Sequence, residues 1–231
     1  MVLEQLYPLK LIERNVFFAF ILGFAYALIS IGAAIILFPE DPAIVAVAFT
    51  AILIIPTVSK MFREAEYIES KRTGSNIFLF FKDHKNIFLI YALLFLGIFL
   101  VFALVTLLLP NLAVNKLFEN QLAIRYGSGR AIGDASIFHN PIFKTIFFNN
   151  LSVLILCLIT DFLFGDGGVF IITWNDSVWG TIFGMLAKGS ALAADKSPFI
   201  YFILILVSVF PHMILEAASY FSAASAGGIL S

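Results

Sequence analysis

Four ionisable residues fall within long apolar runs of this 231-residue chain: Asp161, Asp176, His212 and Glu216. Placing such a side chain in lipid costs about 2.5–3.5 kcal/mol, so each needs a physical reason. His212 and Glu216 stand four apart, which puts them on one helix face and within reach of each other. Pro211 precedes them; its ring kinks a helix and frees a backbone carbonyl. An imidazole beside a carboxylate can serve a proton or a cation. The same pair can instead satisfy itself and tie two helices together. Asn175 and Asp176 lie near the middle of their run. They can contact an ion or substrate inside a bundle, break the helix, or hydrogen-bond across to a neighbour. Asp161 lies near the end of its run and reads as a solvated helix end.

Histidine and carboxylates can also share a metal. The His-Glu-x-x-His spacing is absent, however, and so is Gly-x-Ser-x-Gly. The sequence therefore predicts no catalytic residue, no metal ligand and no cofactor, and an intramembrane hydrolase is the least favoured class. Cys157 is the single cysteine, which allows neither an internal disulfide nor a cysteine cluster, and its apolar setting marks it as a packing residue. A net charge of −1 gives no electrostatic footprint for nucleic acid.

The elements that must position these residues are set by composition. Hydrophobic residues make up 61% of the chain and charged ones 13%, against roughly 45–50% and about 25% in soluble domains. The solvent for this much apolar surface is lipid, and the fold class is an all-α polytopic transmembrane bundle. Six spans are expected, over 15–38, 43–59, 87–109, 145–164, 169–187 and 197–215. The small-residue stretch 217–231 continues the sixth helix, re-enters the membrane, or is half of a further helix. The whole chain reads as one transmembrane domain. An N-terminal helical hairpin (1–59) leads into a cytoplasmic loop (60–86), and a core (87–231) follows with an external loop at 110–144. Within that loop Leu112, Leu117, Phe118 and Leu122 alternate with polar residues as in an interfacial helix. The N-terminus reads as a retained first helix, since its apolar run is too long for a signal peptide.

Gly180 and Gly184 form a small-xxx-small stripe, as do Ala223 and Gly227, and Ala224 and Gly228. Such stripes let helices approach closely, within one bundle or between copies. The expected partners are thus membrane lipids and other membrane proteins or a second copy of the chain.

An ordered set of features resembles a known family. Phe147-Phe148-Asn149-Asn150 opens the fourth span and a glycine turn (Gly165, Gly168) follows it. Then come Asn175, Gly180-x-x-x-Gly184, Pro211-His212-x-x-x-Glu216 and Ala226-Gly227. This order, over roughly 90–230, resembles the stage II sporulation protein M family. Glu13-Arg14, Gly23-Phe24-Ala25-Tyr26, Phe38-Pro39 and Pro56 resemble the N-terminal part of its archaeal members. The chain departs from the family pattern at Asp161 and Asp176, where small or apolar residues are usual. The resemblance implies a non-catalytic scaffold or assembly factor for membrane and envelope proteins, and singles out His212, Glu216, Asn150 and Asn175. The polar intramembrane residues keep a small channel or transporter open as the alternative.

Orientation follows from basic residues in short loops. The turn after the first span has no Lys or Arg, whereas 60–86 has six: Lys60, Arg63, Lys71, Arg72, Lys82 and Lys85. The expected location is the cell membrane, with the N-terminus cytoplasmic. A chain carrying Cys157→Ser and Asp83→Cys should therefore react with an impermeant maleimide only after the cells are opened. Labelling of intact cells would reverse the orientation.

Overall fold

A computed structural model describes residues 12, 15–71, 85–127, 140–164 and 166–230. Eight helices account for nearly all of these. They are α1 (Phe17–Leu37), α2 (Pro42–Ser70), α3 (Lys85–Leu108), α4 (Asn111–Leu117), α5 (Glu119–Gly127), α6 (Asn140–Phe164), α7 (Gly168–Ala194) and α8 (Pro198–Leu230). No strand occurs among the described residues. Helices prevail because a backbone in lipid must satisfy its own hydrogen bonds.

Five helices are long and apolar enough to cross a membrane: Phe17–Leu37, Pro42–Met61, Lys85–Leu108, Phe147–Phe164 and Pro198–Ala224. The expected fifth span, 169–187, lies inside α7. That helix is 27 residues long but is not one of the five. Asn175, Asp176, Ser177, Thr173 and Thr181 make it too polar, and it compensates by position. It packs against α2, α3, α5, α6 and α8, so its neighbours shield it. Asp176, Ser177, Thr173 and Thr181 are all buried.

Residue contacts set the helix directions. Gly180 meets Phe99, Gly184 meets Ala103 and Thr106, and Lys188 reaches the Leu109 carbonyl, so α3 and α7 run parallel. Gly23 meets Leu94, and Ile35 shares a cavity with Leu109, so α1 runs parallel to them. Phe221 stacks on Phe88 and Tyr91 while Phe202 stacks on Phe99, so α8 runs against α3. Asp161, near the end of α6, meets Gly168 at the start of α7, so α6 runs against α7. Ser59 lies beside Asp166, at the start of α7, and α2 runs against α7 as well.

Several boundaries differ from the sequence reading. Helix α2 runs on through Pro56 to Ser70, so the first part of the expected loop 60–86 is helical. There Lys60 and Glu64 pair at 3.7 Å across one turn. The helix of the fourth span starts earlier, at Asn140, while its apolar part begins at Phe147. The expected interfacial helix is two short helices that turn into the bundle, with Leu117, Phe118, Gln121 and Leu122 buried and Leu112 exposed. The Phe118 ring stands 5.4 Å from that of Phe102. Of the three possibilities for the C-terminal stretch, the structure has the first: α8 continues without a break to Leu230. The expectations placed on Glu13, Arg14, Gly165 and the stretch 72–84 fall outside the described residues.

Glycines set how closely the helices approach. A Cβ at Gly180 would lie 2.5 Å from the Phe99 carbonyl oxygen, and one at Gly184 2.8 Å from the Thr106 Cβ. At Gly23 and Gly97 the added carbon would collide with the facing backbones of α3 and α1. Gly189, on the same helix as Gly180, has open space around it. Gly180→Ala should therefore lower stability in detergent by ~1–3 kcal/mol through overpacking. Gly189→Ala should be neutral or raise it by up to ~1 kcal/mol, because alanine favours the helix. Paired thermal unfolding curves check this; equal effects would remove the close-packing account.

Candidate functional site

The polar residues sort into three places. At the first, between α7 and α8, His212 Nε2 stands 3.1 Å from Glu216 Oε2. The next turn of α8 supplies the other partner, with the Tyr220 hydroxyl donating to Glu216 Oε1. Glu216 is thus held from both sides along one face, by residues four before and four after it. The histidine is 59% exposed at the side chain and the glutamate 6%, so the triplet runs from the outside of the helix to its buried face. Asp176 of α7 lies near enough for its charge and that of Glu216 to interact. Among the described residues Asp176 Oδ2 has no hydrogen-bond partner, and neither does the buried Tyr91 hydroxyl.

Asp176 also forms part of the wall of a cleft of about 210 Å³ between α3, α7 and α8. The remaining wall is apolar, including Leu93, Leu96, Phe99, Trp179 and Met213. His212 and Glu216 do not line it. The three groups therefore cluster, but they do not open onto one shared cavity.

The second place is the turn between α6 and α7. Asp161 was expected at a solvated helix end, and it is instead fully buried. Its Oδ1 accepts from the Gly168 amide at 2.6 Å, supplying a partner to a helix start whose first amides lack one. The fit is made by glycines. A Cβ at Gly168 would overlap the carboxylate, and one at Gly227 would lie 3.0 Å from the Asp161 Cβ. One aspartate therefore locks α6, α7 and α8 together. Nearby, the Ser59 hydroxyl donates to Asp166 and ties α2 to the same turn.

The third place is around α5. The Gln121 amide donates to the Ala43 carbonyl at 3.2 Å and to Ser177 Oγ at 3.3 Å, joining α5 to α2 and α7. At the far end of α7, Lys188 Nζ donates to the Thr106 carbonyl at 3.0 Å and the Leu109 carbonyl at 2.5 Å. It caps α3, where the last carbonyls lack amide partners and the helix dipole favours a cation.

Two expected residues stand apart from all this. Asn175 donates to the Ile171 carbonyl of its own helix at 3.0 Å. Asn150 accepts from Asn149 at 3.4 Å, within the first half of α6. Gly180, Gly184, Ala223 and Gly227 are buried, and the glycines receive α3 and α6 of the same chain. Sequence reasoning missed Tyr220, Gln121 and Lys188. Tyr220 was legible as the third member of a four-residue repeat, His212, Glu216, Tyr220; the other two depend on helices distant in sequence. Among the described residues no three His, Cys, Asp or Glu side chains gather as a metal would need.

Long apolar helices around a shielded polar helix define a multi-pass α-helical membrane protein. The profile of the family described as stage II sporulation protein M matches residues 92–231, more than half of the chain. The chain belongs to that family. No curated protein and no solved structure matches it.

The triplet on α8 makes a measurable distinction. Tyr220→Phe removes the buried donor to Glu216 and should cost ~1–3 kcal/mol in detergent stability, the range for a buried polar group left short of a partner. His212→Ala should cost less than ~1 kcal/mol, because its side of the pair is exposed. The reverse order in chemical denaturation would make the imidazole the principal partner of Glu216.

Proposed function

We propose that this chain is a non-catalytic membrane scaffold, an assembly factor that holds other membrane or envelope proteins through its outer helix faces. The observation that carries the reading is the poor enclosure of two long helices. Only 11% of the apolar window of α6 and 6% of that of α8 is buried within the chain. Val207, Leu215, Leu163 and Phe164 project outward along these faces. Several polar groups, by contrast, are engaged inward in fastening helices. Asp161, Gln121, Lys188 and Ser59 each join elements of this chain.

A channel or transporter is the second reading, favoured by the approach of Asp176 to Glu216 and by the His212 contact. Transport sites are built from such groups near the membrane midplane. The apolar wall of the cleft weighs against it, because ions require a polar lining.

One experiment on two fronts separates them. A photo-crosslinking residue at Leu215 or Val207 should give protein–protein adducts in native membranes, and one at buried Phe221 should give none. Proteoliposomes of the pure protein should carry no proton or cation flux. Flux that disappears in Glu216→Gln would overturn the scaffold reading and place Glu216 in a permeation path.

A further inference from the structure

We propose that the cleft between α3, α7 and α8 binds a lipid-dissolved amphiphile whose polar group is a hydrogen-bond donor, an alcohol or an ammonium, presented to Asp176. The inference goes beyond the scaffold reading and stands or falls separately from it. Its basis is an unpartnered acceptor in an apolar wall. Asp176 lines the cleft and is 8% exposed, and no hydrogen bond engages its carboxyl group among the described residues, with Oδ2 buried without a partner. A buried polar atom in this condition is costly, and native proteins leave few of them without a partner, water or ligand.

The surroundings select the occupant. The walls, from Leu93, Leu96, Phe99, Trp179 and Met213, exclude a molecule that is polar throughout. Leu89, Phe210 and Ile214 also line the cleft and are exposed on the outside of the bundle, so its mouth opens sideways, toward lipid. At about 210 Å³ it admits one chain or ring; a transmembrane helix, roughly 10 Å across, is too wide. A carboxylate in that wall repels an anionic or acceptor-only head and favours a donor or a cation.

The two tryptophans are Trp174 and Trp179, and only Trp179 lines the cleft. In Trp174→Phe protein held in nanodiscs, Trp179 fluorescence reports entry of a brominated probe. Three probes of one chain length are compared: bromododecane, bromododecanol and bromododecylammonium. The alcohol or the ammonium should half-quench saturably at about fivefold lower mole fraction than the alkane, the gain from one net hydrogen bond. Asp176→Leu should erase the difference. Asp176→Asn, which keeps an acceptor oxygen, should retain the preference for the alcohol and lose that for the ammonium. Should Asp176→Leu fail to fold, Ala217→Phe narrows the cleft with the carboxyl group intact, and saturable quenching should disappear. Equal quenching by all three probes would mean that the cleft holds any acyl chain, and would overturn the proposal. A donor preference that survives Asp176→Leu would overturn it too.

Discussion

The structure depends on burying the polar face of α7. Thr173, Asp176, Ser177 and Thr181 occupy a helix that lies in the membrane region, and no solvent is there to receive them. The remedy is to surround it. Five other helices pack on α7, and the apolar faces of α6 and α8 take the outside, where lipid is an adequate partner. This reverses the arrangement of a water-soluble bundle, in which polar faces turn outward. It also explains why α7, too polar to count among the five apolar spans, keeps its polar side chains buried.

Two devices make that enclosure possible. Glycines at 180 and 184 let α3 lie against α7 at backbone distance, and Gly168 and Gly227 leave room for the Asp161 carboxylate. Packing of this kind substitutes for the hydrophobic effect, which gives no drive between helices already dissolved in lipid. Side chains that bond across elements then fix the register: Asp161 to Gly168, Gln121 to Ala43 and Ser177, Lys188 to the end of α3. Removing any of them leaves a polar group in a medium that cannot compensate for it. The Glu216 triplet follows the same logic along a single helix. Asp176 does not: among the described residues no hydrogen bond engages it, whereas Asp161 and Glu216 each accept one.

Much of this could be read in the chain. The apolar runs predicted where helices lie, because a length of about 20 apolar residues has few other uses. The four-residue spacing of His212 and Glu216 predicted their contact, since helical geometry is local. The small-residue stripes marked surfaces of close approach, although not what would approach them. The stretch 169–187 read as a helix despite Asn175 and Asp176, and α7 covers it; a helix shielded by protein need not be as apolar as one facing lipid. The polar pattern of 111–122 misled, because the alternation that suits a membrane surface also suits a helix pair folded into a bundle.

By itself the sequence determined the class of the protein, its helices, the short-range pairs within a helix and the family to which it belongs. These follow from composition and from spacings of a few residues, which a helix converts directly into distance. Only the tertiary structure decided that Gln121 meets Ala43 and Ser177, that Lys188 caps α3, that Asp161 is buried beneath two glycines, and that Asp176 faces an apolar cleft. Each of these joins residues far apart in the chain, and their meeting depends on which faces pack together, a choice set by the sum of all contacts in the bundle.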